Sequence, residues 1–468
     1  MRATLSTILL GPVAAAALAP AASAQDRPDQ KAFFEIYKEL VETNTTLSAG
    51  SCTQAAAQIG ARLKAAGYAD DDITYFAVPD HPKEGGLVAM LKGSNARLKP
   101  MLLLAHLDVV EAKREDWTRD PFKLVEEDGY YYARGSTDDK GQAAIWADAM
   151  IRFKTGNYRP KRTIKLALTC GEETTFAFNG AQWLAQNKPE LIAAEFALNE
   201  GGGGLLTDQG ERKTLFLQVG EKAAQNFTLL ATNPGGHSSQ PTPENAIYQL
   251  SDALKAVQGY EFPIRFTDTT RAFFAGNAAA QPGLMGDAIK RLLANPADTA
   301  ANAVVSSNKT FHSVLRTTCV ATLVNAGHAE NALPQRATAN VNCRIFPGET
   351  VDATLAKLKE LAGPKVTVTA NQPIRPTAVP PTLDPKILGP AKAVAAKHFP
   401  GTPILPMMST GATDGVFLEA VGIPVYGVPG MFIGADINGA HGLNERMNVK
   451  SLYDGRDYLF DLVKAYAG

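Results

Sequence analysis

Apolar positions recur along this chain in two rhythms. In QKAFFEIYKELVET the apolar Phe33, Phe34, Tyr37, Leu40 and Val41 fall at helical spacing. A second helix is predicted over TQAAAQIGARLKAAG, with Gly67 as its stop signal. Beyond it, continuous apolar runs alternate with helical stretches. PMLLLAH, TIKLALT and EFALNE read as buried strands, and GQAAIWADAMIRFK and AQWLAQN as helices. Strands without a polar face, separated by helices, predict a mostly parallel sheet covered on both faces, that is, an α/β fold.

The rhythm changes near Gly220. Strand-like NFTLLATN and TTCVATLV mix with helical AIYQLSDALKAV, GDAIKRLLAN and TLAKLKELAG, and a Pro-rich stretch, QPIRPTAVPPTLDP, leads back to the first pattern. The prediction is one α/β domain built from residues 25–220 and 373–468, with a smaller α+β domain inserted over 221–372.

The chain has 468 residues, 45% of them hydrophobic, enough for a large core and two or three domains. Lys plus Arg (46) nearly equals Asp plus Glu (47), and no basic stripe stands out, which argues against a nucleic-acid partner. Met1-Arg2, the apolar LLGPVAAAALAP and the small-x-small Ala22-Ser23-Ala24 form a bacterial-type export signal over 1–24, cut after Ala24. The competing reading, a membrane anchor, needs about 20 apolar residues, more than this stretch holds. No later segment is long and apolar enough to span, so the expectation is a soluble periplasmic or secreted protein. Export permits disulfides. Cys319 and Cys343 lie in strand-like runs that can pair across neighbouring strands; Cys170 reads as a buried small residue rather than a nucleophile. No C-x-x-C occurs, which speaks against a thiolate zinc site.

Five polar features end apolar runs of the α/β pattern, where ligand crevices of parallel sheets open. His106 ends PMLLLAH, with Asp108 two residues on. Asp138 and Asp139 sit in ARGSTDDKG before a helix, Glu172 and Glu173 end LTCGEE, Glu200 runs into four glycines, and His441 lies in NGAHGLNER. Each alone has an ordinary explanation: a loop His–Asp pair, a helix N-cap, a solvated strand end, a polar turn. Together, two histidines and several carboxylates match the nitrogen and oxygen ligands of zinc, and a carboxylate shared by two metals suits hydrolysis.

In this order, LLLAHLDVV, DWTRDPFKLVEEDGYYYARGSTDDKG, CGEE, ALNEGG, GGHSSQP, NALPQRATANVNCRIFPG, GATDGVF and HGLNER resemble the co-catalytic zinc exopeptidases and amidohydrolases. That family includes glutamate carboxypeptidase, aminoacylase, carnosinase-type dipeptidases and succinyl-diaminopimelate desuccinylase. The resemblance covers nearly all of the chain after the signal. It implies two Zn2+ per chain, with Co2+ or Mn2+ acceptable to the same ligands. His106 and Glu200 would hold one ion, Glu173 and His441 the other, and Asp138 would bridge them; Asp139 falls on a variable position. Asp108 would orient His106, and Glu172 would be the base that deprotonates the metal-held water. His237 matches the residue that stabilises the oxyanion, arriving from the partner subunit in dimeric relatives. Asn331 and Arg344 match residues that hold a substrate carboxylate, and Thr413 and Asp414 match a loop lining the same cleft.

Ala133 and Asn199 depart from the family's habit without removing a ligand. The long stretch between His237 and Asn331 resembles the longer Gly-Xaa carboxypeptidase-like members. The expected activity is cleavage of an amide bond next to a free carboxylate in a small peptide, or alternatively in an N-acyl amino acid. A non-catalytic exported binder of the same fold would be expected to lose the base or a ligand, and all are present.

Overall fold

The computed structural model describes residues 27–174, 178–434 and 436–468; the expected export signal lies outside them. Among these residues, no helix is long and apolar enough to cross a membrane.

The centre of the molecule is a ten-stranded sheet. Its four middle strands, Ile164–Thr169, Met101–His106, Phe196–Asn199 and Val425–Gly427, run parallel in that spatial order. Antiparallel neighbours flank them: His81–Leu91 on one side and Arg212–Glu221 on the other. Strand Met101–His106 shows why no polar alternation was visible. All six positions are buried. Met101, Leu103 and Ala105 pack with Trp146 and the helices Pro28–Glu42, Cys52–Ala65, Lys140–Thr155 and Val449–Ala467. Leu102 and Leu104 face the opposite cluster, with Leu184 and Val416. A strand covered on both faces gains burial at every residue.

A second, four-stranded antiparallel sheet is ordered Thr318–Ala326, Arg336–Ile345, Ala223–Thr232, Val366–Ala370. Strand Arg336–Ile345 alternates strictly. Ala337, Ala339, Val341, Cys343 and Ile345 are buried, in one cluster with Leu250 and Leu358 of the helices Ala246–Gly259 and Val351–Ala362. The period of two therefore turns Asn340, Asn342 and Arg344 to the other face. Four helices between Asp268 and Val314 form a third apolar cluster around Phe273, Phe274 and Phe311, which includes Met408 of the large-sheet strand Ile404–Ser409. Much of the long stretch is thus packed onto the large sheet.

Two disulfides are present. Cys319–Cys343 joins residues directly opposite across neighbouring strands. Cys52–Cys170 corrects the reading of Cys170 as a lone buried residue: it ties the first turn of helix Cys52–Ala65 to the residue after strand Ile164–Thr169. The partner lies 118 residues away, and only the stacking of that helix on the sheet brings the two together.

Candidate active site

Where the middle strands end, their polar termini converge. The imidazole Nε2 of His106 lies 3.1 Å from Asp138 Oδ1 and 3.7 Å from Glu200 Oε1. His441 Nε2 lies 2.9 Å from Asp138 Oδ2 and 3.0 Å from Glu173 Oε1. Each oxygen of Asp138 thus faces a different histidine, and two ligand triads, His106–Asp138–Glu200 and Asp138–Glu173–His441, share that residue.

The donor set fits a pair of metal ions. Two ligand atoms bound about 2.0–2.1 Å from one tetrahedral zinc stand roughly 3.3 Å apart, close to the spacings seen. Glu200 Oε1 is buried without a hydrogen-bond partner among the described residues, a costly state unless a cation sits against it. Electrostatics agree. Burial, reinforced by neighbouring carboxylates, drives Glu172, Glu173 and Glu200 upward from the ordinary carboxylate range. For Asp138 burial pushes the same way, but hydrogen bonds from both histidines outweigh it and hold the group low. His441 is raised to about 10 by Asp138 and Glu173. Acids crowded around two imidazoles in this way are groups that a cation would relieve.

The loops are held from outside the cluster. Glu445 is buried and accepts the backbone N–H groups of Gly135 (2.9 Å), Thr137 (2.8 Å) and Asp138 (3.0 Å) while pairing with Arg134 at 2.8 Å. It fixes the loop that carries Asp138. Sequence reasoning gave it no role, although it sits in HGLNER. Gly171 precedes the paired acids at φ 94°, and a side chain there would meet the Phe178 carbonyl at 1.9 Å. Only glycine makes that turn.

Asp108 touches both His106 and the turn of the paired acids. His106 Nδ1 is 3.0 Å from the Asp108 backbone carbonyl but 3.6 Å from its carboxylate. The carboxylate instead accepts the N–H groups of Glu172 and Glu173. Burial opposes its charge, yet His106 and the backbone N–H groups of Glu173 and Gly171 keep it below the usual range.

Beside the cluster opens a cleft of about 270 Å³, lined by Glu172, Glu173, Arg344, Thr413, Asp414 and His441, and also by Asn226, Asn342 and Arg375. Thr413 and Asp414 reach it but are engaged inward. Thr413 Oγ1 donates to Glu221 at 2.8 Å, and Asp414 accepts from Asn179 at 2.6 Å and Thr169 at 3.0 Å. His237 and Asn331 do not line the cleft. His237 belongs to the two-stranded ladder with Ala332, Ser238 N–H donates to the Asn331 carbonyl, and both side chains are exposed. The structure therefore separates Asn331 from Arg344.

A parallel sheet whose strand ends gather carboxylates and imidazoles around a substrate-sized cleft defines a metal-dependent hydrolase. The sequence profile of Peptidase family M20/M25/M40 matches residues 102–465, and the chain belongs to that family. It is 29% identical over 385 residues to the human N-fatty-acyl-amino acid synthase/hydrolase PM20D1, covering 80% of this chain and 75% of that protein. A probable carboxypeptidase S-like 2 of Dictyostelium discoideum is 28% identical over 392 residues, covering 81% of this chain and 74% of its own. Two solved structures share the fold. The M20 family metallo-carboxypeptidase Sso-CP2 from Sulfolobus solfataricus has a TM-score of 0.72 at 18% identity, over 93% of this chain and 99% of that one. Human carnosine dipeptidase 1 has 0.65 at 17%, over 94% and 96%.

Proposed function

We propose that this protein is an exported di-metal amidohydrolase that cleaves an amide bond whose leaving group is an amino acid with a free carboxylate. The observation that carries this reading is Asp138, with one oxygen toward each histidine. His106, Asp138 and Glu200 would hold one ion and Asp138, Glu173 and His441 the other. When bound, the ions supply Lewis-acid polarisation of the scissile carbonyl and lower the pKa of water.

The chain's own groups do the rest. Glu172 faces the cleft and, among the described residues, no side chain donates to its carboxylate. It takes the proton of the attacking water and returns it to the departing nitrogen. Arg344, half-buried on the cleft face of its strand, offers a planar fork to the substrate carboxylate and fixes the amide over Glu172. Asp108 and Glu445 hold the loops that carry these groups.

Peptides are the first substrate class, in keeping with the carboxypeptidase and dipeptidase that share the fold. N-acyl amino acids are the second, favoured by the likeness to PM20D1. Export is supported by the signal pattern at 1–24 and by two disulfides. A homodimer is supported by the exposed Val320, Leu323 and Val324 on the edge strand Thr318–Ala326 and by the exposure of His237. In a dimer, His237 would serve the partner's cleft.

The test is a hydrolysis screen of dipeptides, N-acyl amino acids and N-succinyl diamino acids with added zinc. Turnover that a chelator abolishes and zinc restores is expected; full activity after chelation contradicts the reading.

A further inference from the structure

The buried arginines of this fold are paired. Arg134 meets Glu445, Arg316 meets Glu261, and Arg456 meets Asp148 and Asp29. Two half-buried arginines break that habit, and both line the cleft: Arg344 and Arg375. Among the described residues, no carboxylate lies within ion-pair distance of either. Burial lowers the pKa of both, opposed only at longer range by Glu172 and, for Arg375, by Asp414. A desolvated guanidinium without an anion is unfavourable, so an anionic ligand would relieve each of them.

Arg375 sits in the Pro-rich stretch that returns from the small sheet, and it is held in place. Its backbone N–H donates to Gln225 Oε1 at 3.0 Å, and Gln225 Nε2 donates to the Asn371 carbonyl at 2.7 Å. Its guanidinium lies 5.2 Å from the centre of the Phe417 ring. That contact leaves the edge of the fork free for a carboxylate, as a stacked arginine commonly does.

We propose that Arg375 is a specificity-determining residue that binds a second carboxylate of the substrate. The inference rests on the hydrolase reading above, in which Arg344 takes the first. The preferred substrates are then amides carrying two carboxylates. The second carboxylate comes either from an acidic side chain on the leaving amino acid or from a dicarboxylic acyl group.

The experiment compares N-acetyl-glutamate, N-succinyl-leucine and N-acetyl-leucine on zinc-loaded wild type, Arg375→Leu and Arg375→Lys. At least one dicarboxylate should exceed N-acetyl-leucine tenfold or more in kcat/KM, and which one does so identifies the source of the second carboxylate. Arg375→Leu should collapse that ratio at least tenfold, mainly through KM, and Arg375→Lys should restore part of it. Calorimetric binding of the same compounds to Glu172→Gln protein, with and without Arg375→Leu, reads the subsite without turnover. Hydrolysis without a dicarboxylate preference, or a preference that survives Arg375→Leu, overturns the inference and leaves the hydrolase reading intact. Arg375-dependent binding without hydrolysis by wild type overturns the hydrolase reading and supports the subsite. Absence of both overturns both. Should Arg375→Leu fail to fold, the wild-type preference and Arg375→Lys still decide.

Discussion

The carboxylate of Asp108 accepts the backbone N–H of Glu173 at 2.9 Å and that of Glu172 at 3.3 Å. The loop after His106 thereby holds the turn that carries the paired acids, while the Asp108 backbone carbonyl orients the His106 ring. Asp108→Asn puts an NH2 group where one of these N–H donors points. Activity should fall about 10- to 100-fold, as is usual for groups that support metal ligands. Steady-state kinetics beside zinc content measures it.

Glu445 makes the equivalent arrangement around Asp138. It is buried and satisfies three N–H groups and Arg134. Glu445→Ala leaves Arg134 buried without its partner, so destabilisation of roughly 3–5 kcal/mol is expected. Urea unfolding reads it, and zinc affinity should drop with it.

The disulfide Cys52–Cys170 closes a separation of 118 residues just before the paired acids. In the chain-entropy account, removing a cross-link over so long a loop costs roughly 5 kcal/mol. The double variant Cys52→Ala/Cys170→Ala should therefore melt well below wild type in non-reducing buffer. Reductant should have little further effect at this link.

Glu419 is buried beside Glu221, and burial pushes its carboxyl up to about 9, far above the ordinary carboxylate range. The native state keeps a proton there that the unfolded chain releases near pH 4.5. Stability from this group is therefore lost as pH rises from about 4.5 to about 9. Glu419→Gln removes the loss. Its advantage over wild type in urea unfolding should grow with pH, from small at pH 5 to several kcal/mol, on the order of 5, at pH 9.

What the sequence made legible were groups whose position follows from one element. His106, Glu173 and Glu200 lie at or just beyond the ends of fully buried, largely apolar strands, and in a parallel sheet such ends gather on one side. Arg344 alternates with buried neighbours, so its face follows from the period of two. Less legible were relations set by packing between distant elements. Residue types show that Asp108 lies near His106, but not whether its carbonyl or its carboxylate meets the ring. Cys170 gave no sign of Cys52, because only the stacking of a helix on the sheet joins them. Glu445 lies in a polar loop with no apolar period to show that it is buried. Arg375 was hidden in a Pro-rich stretch that has no periodicity to assign it a face. Asn331 lies just before the short strand that pairs with His237, its carbonyl held by the Ser238 N–H, and it does not line the cleft with Arg344.

In the proposed mechanism Glu172 and Glu173 divide the work, one moving the proton and the other holding metal. This division is tested most directly by measuring zinc per chain and kcat together for Glu172→Gln and Glu173→Gln. Glu172→Gln should keep about the wild-type zinc content and lose activity by several orders of magnitude. Glu173→Gln should lose zinc from the site it shares with His441 and Asp138. Equal zinc loss in both variants, or turnover that survives Glu172→Gln, would contradict the account.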